Sequence, residues 1–276
     1  MSWVLLALLG CTGDEPDAES CGDPADVHTV VISALTFGRT LDDGTTWGFD
    51  LDGRVSDSSD WEGCYRQDQI SPEGVEGIDS AFTVLVPALE ATEGAAVEGL
   101  IADSIVNGEL ILLLELTGVD DLSNDDCVDA TLYRGDGTPL VGTDGHILDG
   151  QTFGVSETVA PVTGRGSIVD GQVTVRDISV SLPLQILDAE LVLTMHDAAI
   201  RADLYSDGTA SGYLAGAVPT HEITDIAYEE DVDSLAEIIE GLVNLSADLD
   251  PDDLGVCQSL SVTLEYEAIP AWVLVE

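Results

Sequence analysis

The sequence predicts a mainly β fold with a few helices: an antiparallel β-sandwich or flattened barrel, with a helical insertion around residues 77–107 and another helix around 231–246. Three observations carry this. Apolar and polar residues alternate along several runs in the C-terminal half, Asp-Gly turn signals separate the runs, and helical periodicity is confined to a few stretches.

In chain order, His28 to Phe37 is dense in Val, Ile, Leu and Phe and reads as a buried strand, after which Asp42-Asp43-Gly44 turns the chain into the run Thr45 to Leu51. Residues 52–77 read as loop. Ile78, Ala81, Phe82, Leu85, Val86 and Leu89 then fall on one helical face, and Val97, Leu100, Ile101 and Ile105 repeat it after a break near Thr92 to Gly94. Asn107-Gly108 closes this αα unit. Glu109 to Thr117 is continuously apolar, too short for a membrane and suited to a strand buried on both faces.

From Cys127 onward strands dominate. Val128 to Arg134 is one, and alternation is plain at Ile178, Val180, Leu182 and Leu184, at Leu191, Leu193 and Met195, at Ile200, Ala202 and Leu204, and at Leu260, Val262, Leu264 and Tyr266. Such runs have one core face and one polar face. Val232, Leu235, Ala236, Ile239, Leu242 and Val243 share a helical face, with Asp231 or Asp233 as N-cap; Thr220 to Ala227 reads as a shorter helical turn. Ser259 to Ala268 is the last strand, and no fixed-period repeat indicates a propeller or solenoid.

Composition narrows the function classes. There are 54 Asp plus Glu against 7 Lys plus Arg, all seven of them arginine, for a net charge of -47. Nucleic acid is excluded as a partner, because cations neutralising phosphates supply that affinity. With 45% hydrophobic residues the chain is nevertheless globular. The acids read either as a solvated coat suited to a salty exterior or, at particular clusters, as ligands for divalent cations.

The N-terminus reads as an address. Trp3 to Leu9 is a short apolar run that ends in Leu8-Leu9-Gly10-Cys11, although Met1-Ser2 carries no basic residue. At these four positions the chain resembles the lipobox of bacterial lipoproteins. The resemblance implies a signal peptide over 1–10, lipidation of Cys11, and attachment to a membrane through the lipid; Thr12, rather than Asp, after the cysteine implies sorting to the outer membrane. Residues 11–27, rich in Asp, Glu, Pro, Gly and Ser, then read as a flexible acidic tether to a single domain over 28–276.

Cys21, Cys64, Cys127 and Cys257 remain, an even, widely spaced set that fits two disulfides in an oxidising compartment. The pairing expected is Cys64 with Cys127, both in acidic loops flanking the helical segment, and Cys21 with Cys257, each just before a strand.

That first pairing would join Asp50 and Asp52 to Asp120 and Asp121, a candidate calcium set within a wider constellation of Asp57, Asp60, Asp79, Asp125 and Asp126. The EF-hand pattern fails here, since glycine comes fourth after Asp50, and fails again at Asp248, Asp250 and Asp252, where Asp253 and Ser259 replace the required glycine and glutamate. His28, His146, His196 and His221 are isolated, Gly164-Arg165-Gly166-Ser167 is no phosphate loop, and no nucleophile elbow exists. Trp47 and Phe49 read as inward-facing, Trp61 as an exposed ring, with Tyr65 nearby. The function expected is a non-catalytic binding or structural role in the bacterial envelope, calcium-stabilised, with a glycan or an envelope protein as partner. The rival is a secreted hydrolase acting on glycans with two loop carboxylates beside an exposed aromatic, and a third reading is a purely halophilic structural domain.

Overall fold

The structure is a computed structural model that describes residues 21–22, 27–91, 97–186, 189–229 and 233–274. The signal peptide, Cys11 and most of the expected tether lie outside the described residues, as does the break near Thr92 to Gly94.

The described strands are β1 (Val27–Phe37), β2 (Gln69–Ile70), β3 (Glu76–Ile78), β4 (Leu112–Thr117), β5 (Asn124–Asp136), β6 (Gln151–Val155), β7 (Val162–Val169), β8 (Gln172–Ile186), β9 (Ala189–Leu204), β10 (Ala210–Pro219), β11 (Leu249–Pro251) and β12 (Cys257–Leu274). Eight of them close a ring in the order β1-β4-β5-β7-β8-β9-β10-β12, each antiparallel to its neighbours, and β12 returns to β1 through Val30 opposite Pro270 and Phe37 opposite Leu264. Of the two architectures expected, the molecule is the barrel. Period-two alternation explains its filling: Leu260, Val262, Leu264, Tyr266 and Ala268 from β12, Val180 and Leu182 from β8, and Ile200 and Ala202 from β9 all enter one buried cluster. At Ser33 a bulge shifts the register of β1, so that Ile32 and Leu35 both line the interior. The space left among these side chains is about 10 Å³, so the lumen is a packed core with no room for cargo.

β6 departs from the ring. It pairs with β5 and, in parallel, with β12, and so bridges the two ring members between them, β1 and β4. This second layer accounts for the burial of consecutive residues Val30, Val31 and Ile32 in β1 and Leu112, Leu113 and Leu114 in β4, the two-sided burial expected of the apolar run.

Four helices occur among the described residues: α1 (Val86–Glu90), α2 (Val97–Asn107), α3 (Thr220–Glu229) and α4 (Asp233–Ser246). α2 packs on both β1 and β8, which are diametrically opposite in the ring, so it crosses one barrel mouth and inserts Ile101 and Ile105 into the core. Gly108, at φ +83°, ends it as expected. Arg39 fastens it to β1: Glu98 accepts from the Arg39 guanidinium and from the Phe37 N–H.

Two local expectations are corrected. Ile78 belongs not to a helix but to β3, in a small hairpin with β2, and helical geometry begins only with a 3-10 turn at Ala81–Val84. Thr45 to Leu51 makes isolated bridges, Thr46 to Thr40 and Phe49 to Asp79, in place of a strand. Its backbone has no continuous strand edge to pair with, and its side chains pack on the outside of the barrel instead.

The disulfide pairing is corrected too. Cys21 joins Cys127 (Cα–Cα 5.3 Å) and Cys64 joins Cys257 (Cα–Cα 5.9 Å). The register of β1 on β4 and of β4 on β5 brings the start of β5 beside the chain that enters β1. There the Cys21 N–H also donates to Asp129, and Gly118 (φ +73°) lies so close to Cys21 that any side chain would meet its carbonyl. Cys257 opens β12, against whose outer face the segment containing Cys64 docks.

Candidate functional site

Residues 38–84 cross the outer wall of the barrel. Outward-facing Ser261 and Thr263 of β12, which would otherwise meet water, are fully covered and hydrogen-bonded: Ser261 Oγ accepts the Ala81 N–H at 2.7 Å and donates to Asp248 Oδ2, and Thr263 Oγ1 lies 3.0 Å from Ser80 Oγ. Farther along, Phe49 is buried against Ala199, Tyr213 and Ala215 with Trp47 beside it. Both rings face inward as expected, but onto the barrel's exterior and not into its main core.

Where this segment turns, three carboxylates converge. Asp50, Asp52 and Asp79 each place an oxygen within 4.8 Å of the others. The Asx turn Asp50-Leu51-Asp52-Gly53 builds it: Asp50 Oδ1 accepts the N–H groups of Gly53 (2.6 Å) and Arg54 (3.1 Å), and Asp52 Oδ1 accepts Arg54 N–H at 3.0 Å. Asp79 joins from the other arm, with its N–H on the Phe49 carbonyl and its Oδ2 on the Leu51 N–H at 2.7 Å. One oxygen of each carboxylate is thus held by backbone, and the opposite oxygens, Asp50 Oδ2, Asp52 Oδ2 and Asp79 Oδ1, carry no hydrogen bond among the described residues.

The electrostatics of this arrangement are unfavourable when it stands alone. Asp79 is 3% exposed, and burial, followed by the like charges of Asp248, Asp52 and Asp68, pushes its carboxyl up to about 8 against the opposing Leu51 N–H. Asp52 is raised as well, by burial first and then by Asp50 and Asp60. Close by, Asp248 is pushed up to about 7 by burial, although the Ser261 N–H and hydroxyl oppose the shift. A hard cation is the species that three such oxygens would satisfy, with water completing the six to eight oxygens that calcium takes.

The structure therefore keeps Asp50 and Asp52 of the expected set and supplies Asp79. Asp120 and Asp121 stay in the loop between β4 and β5, where the Asp120 N–H donates to Asp125 and Asp121 accepts the Ser123 N–H, and they do not enter the triad. With Cys127 bonded to Cys21 and Cys64 to Cys257, neither disulfide ties that loop to the segment of Asp50. All four histidines are exposed, and Gly164-Arg165-Gly166-Ser167 lies within β7, where Arg165 pairs with Asp129.

Beside the triad lies an open groove of about 460 Å³, lined by Asp52, Arg54, Trp61, Glu62, Asp250, Asp252 and Asp253 among others. Cys64–Cys257 joins its two sides, and Trp61 is 52% exposed, as expected. The chain matches no protein-family model, no curated protein and no solved structure.

Proposed function

We propose that the chain is an exported, lipid-anchored envelope protein with a non-catalytic binding or structural role, whose outer loop is ordered by calcium at Asp50, Asp52 and Asp79. The observation that carries the calcium reading is the triad itself: a buried carboxylate gathered with two others within 4.8 Å, while the nearby Arg54 and Arg176 are engaged by Glu62 and by the Asp50 carbonyl. Two disulfides consume all four cysteines after Cys11 and support an oxidising compartment. Attachment through Cys11 and outer-membrane sorting rest on the lipobox resemblance.

Thermal unfolding of the purified chain in excess EDTA and in calcium, at matched ionic strength, tests the metal. A calcium-specific rise in Tm that Asp52→Asn removes supports it; equal Tm values overturn it. Incorporation of labelled fatty acid, lost in Cys11→Ser, tests the anchor.

The second reading, a hydrolase acting on glycans, draws on the groove in which the exposed Trp61 stands among five carboxylates. Release of reducing ends from envelope glycans, abolished by Asp52→Asn, would replace the non-catalytic reading.

A further inference from the structure

A separate groove of about 510 Å³ lies on the outer wall of the barrel where β1, β12, β10 and β9 run side by side. Register fixes its floor. Ala34, Glu267, Ser211 and Asp203 form one lateral row across the four strands, and Thr36, Glu265, Tyr213 and Arg201 form the next row on the same face. Ala34, Thr36, Ser211 and Gly212 are small and keep the floor low.

Four aromatic residues line it, Trp47, Tyr205, Tyr213 and Tyr266, and the first two are held in place. Trp47 stacks on Tyr213 at 5.9 Å between centroids, and the hydroxyl of Tyr205, a half-exposed ring, lies 2.8 Å from Ser211 Oγ. Three carboxylates line the space, Asp203, Glu265 and Glu267, and no arginine does. Two cations lie near and both are already committed: Arg39, close to Glu265, is held by Glu90 and Glu98, and Arg201 lies on the other side. The Arg201 guanidinium donates twice to Glu73, at 2.8 and 2.5 Å, sits 5.7 Å from the centroids of Trp47 and Tyr213, and reaches Asp203 only at 3.8 Å. The groove therefore offers three carboxylates against two arginines that are mainly held by other acids, together with aromatic surface.

A bare metal ion would use the charge and leave the rings idle; a neutral sugar would use the rings and leave the charge of the three partly exposed carboxylates unused. A cation with an apolar surface uses both, through ion pairing and cation–π attraction. We propose that this groove binds an organic cation of the alkylammonium class, its charge among Asp203, Glu265 and Glu267 and its carbon groups against Trp47 and Tyr205. The site shares no residue with the calcium triad and stands whether or not the triad holds metal.

Calorimetric titration of the full chain with choline, at fixed ionic strength, tests this, with 3,3-dimethylbutan-1-ol as the neutral isostere and methyl glucoside as the sugar. The expected result is saturable choline binding, with the isostere weaker by about tenfold or more and Tyr205→Ala and Glu267→Gln each weakening choline by about tenfold at unchanged Tm. Asp144→Asn, which removes an exposed acid in a turn outside the groove, should leave choline binding unchanged. Absence of saturable binding, equal binding of the isostere, tighter binding of the glucoside, or a loss in Asp144→Asn equal to that in Glu267→Gln would overturn the proposal. The last result would mean that choline only joins the counter-ion cloud of an acidic surface.

Discussion

At the scale of residues, charge in this chain is used very unevenly. Each of the seven arginines holds something: Arg39 holds Glu90 and Glu98, Arg54 holds Glu62, Arg66 the Leu245 carbonyl, Arg134 the Ile111 carbonyl, Arg165 Asp129, Arg176 the Asp50 carbonyl, and Arg201 Glu73. Arginine serves here as a planar clamp, and the net charge is left for solvent and ions to balance. Asp79 shows what that leaves behind. Its carboxyl holds a proton up to about 8 in the folded chain but ionises near 3.9 when unfolded, so its contribution to stability is complete below the lower value and is lost as pH rises through the higher one. In EDTA, urea midpoints should fall between pH 5 and pH 9, and Asp79→Asn should flatten that fall; an unchanged slope would show that Asp79 is not the group responsible. Asp50 and Asp52 were legible because an Asx turn is local. Asp79 was visible as an acid but not as their partner, since only the docking of the segment on β12 brings the two arms together.

At the scale of elements, alternation was a faithful guide wherever one face of a strand meets the interior, and β8, β9 and β12 follow it closely. It fails where burial comes from outside. Ser261 and Thr263 look solvent-facing by period yet are covered by residues 38–84, and the hairpin of β2 and β3 is too short to show any period. The cysteine pairing was misread for a related reason, because proximity to strand starts in sequence does not report which strands become neighbours. The two disulfides close loops of 106 and 193 residues. Loop entropy alone gives each about 4–5 kcal/mol and separates them by only about 0.5 kcal/mol. Replacing either pair by serine should therefore lower stability by similar amounts in denaturant unfolding. A much smaller loss for Cys64/Cys257 would show that the acidic segment opens independently of the barrel. Calcium should then protect that segment's amides from hydrogen exchange more than those of β8 or β9.

For the whole molecule, alternation and turn spacing announced a β-rich globule, sandwich or flattened barrel, but did not choose between the two. Closure depends on β1 meeting β12, with Val30 opposite Pro270, a contact no local pattern encodes. The filled lumen sets a further expectation: Leu182, with no exposed surface, should cost about 2–5 kcal/mol on substitution by alanine, measured by denaturant midpoint. A loss under 1 kcal/mol would mean that the interior is softer than its packing implies. The same seam also governs timing. The first strand of the ring finds its last neighbour only after more than two hundred further residues have been made, so during synthesis the sheet is an open ribbon with two unpaired edges. A chain that cannot shut until its final strand arrives stays threadable for nearly its whole length, and under the export proposed above that late closure would keep it passable through a narrow translocation channel.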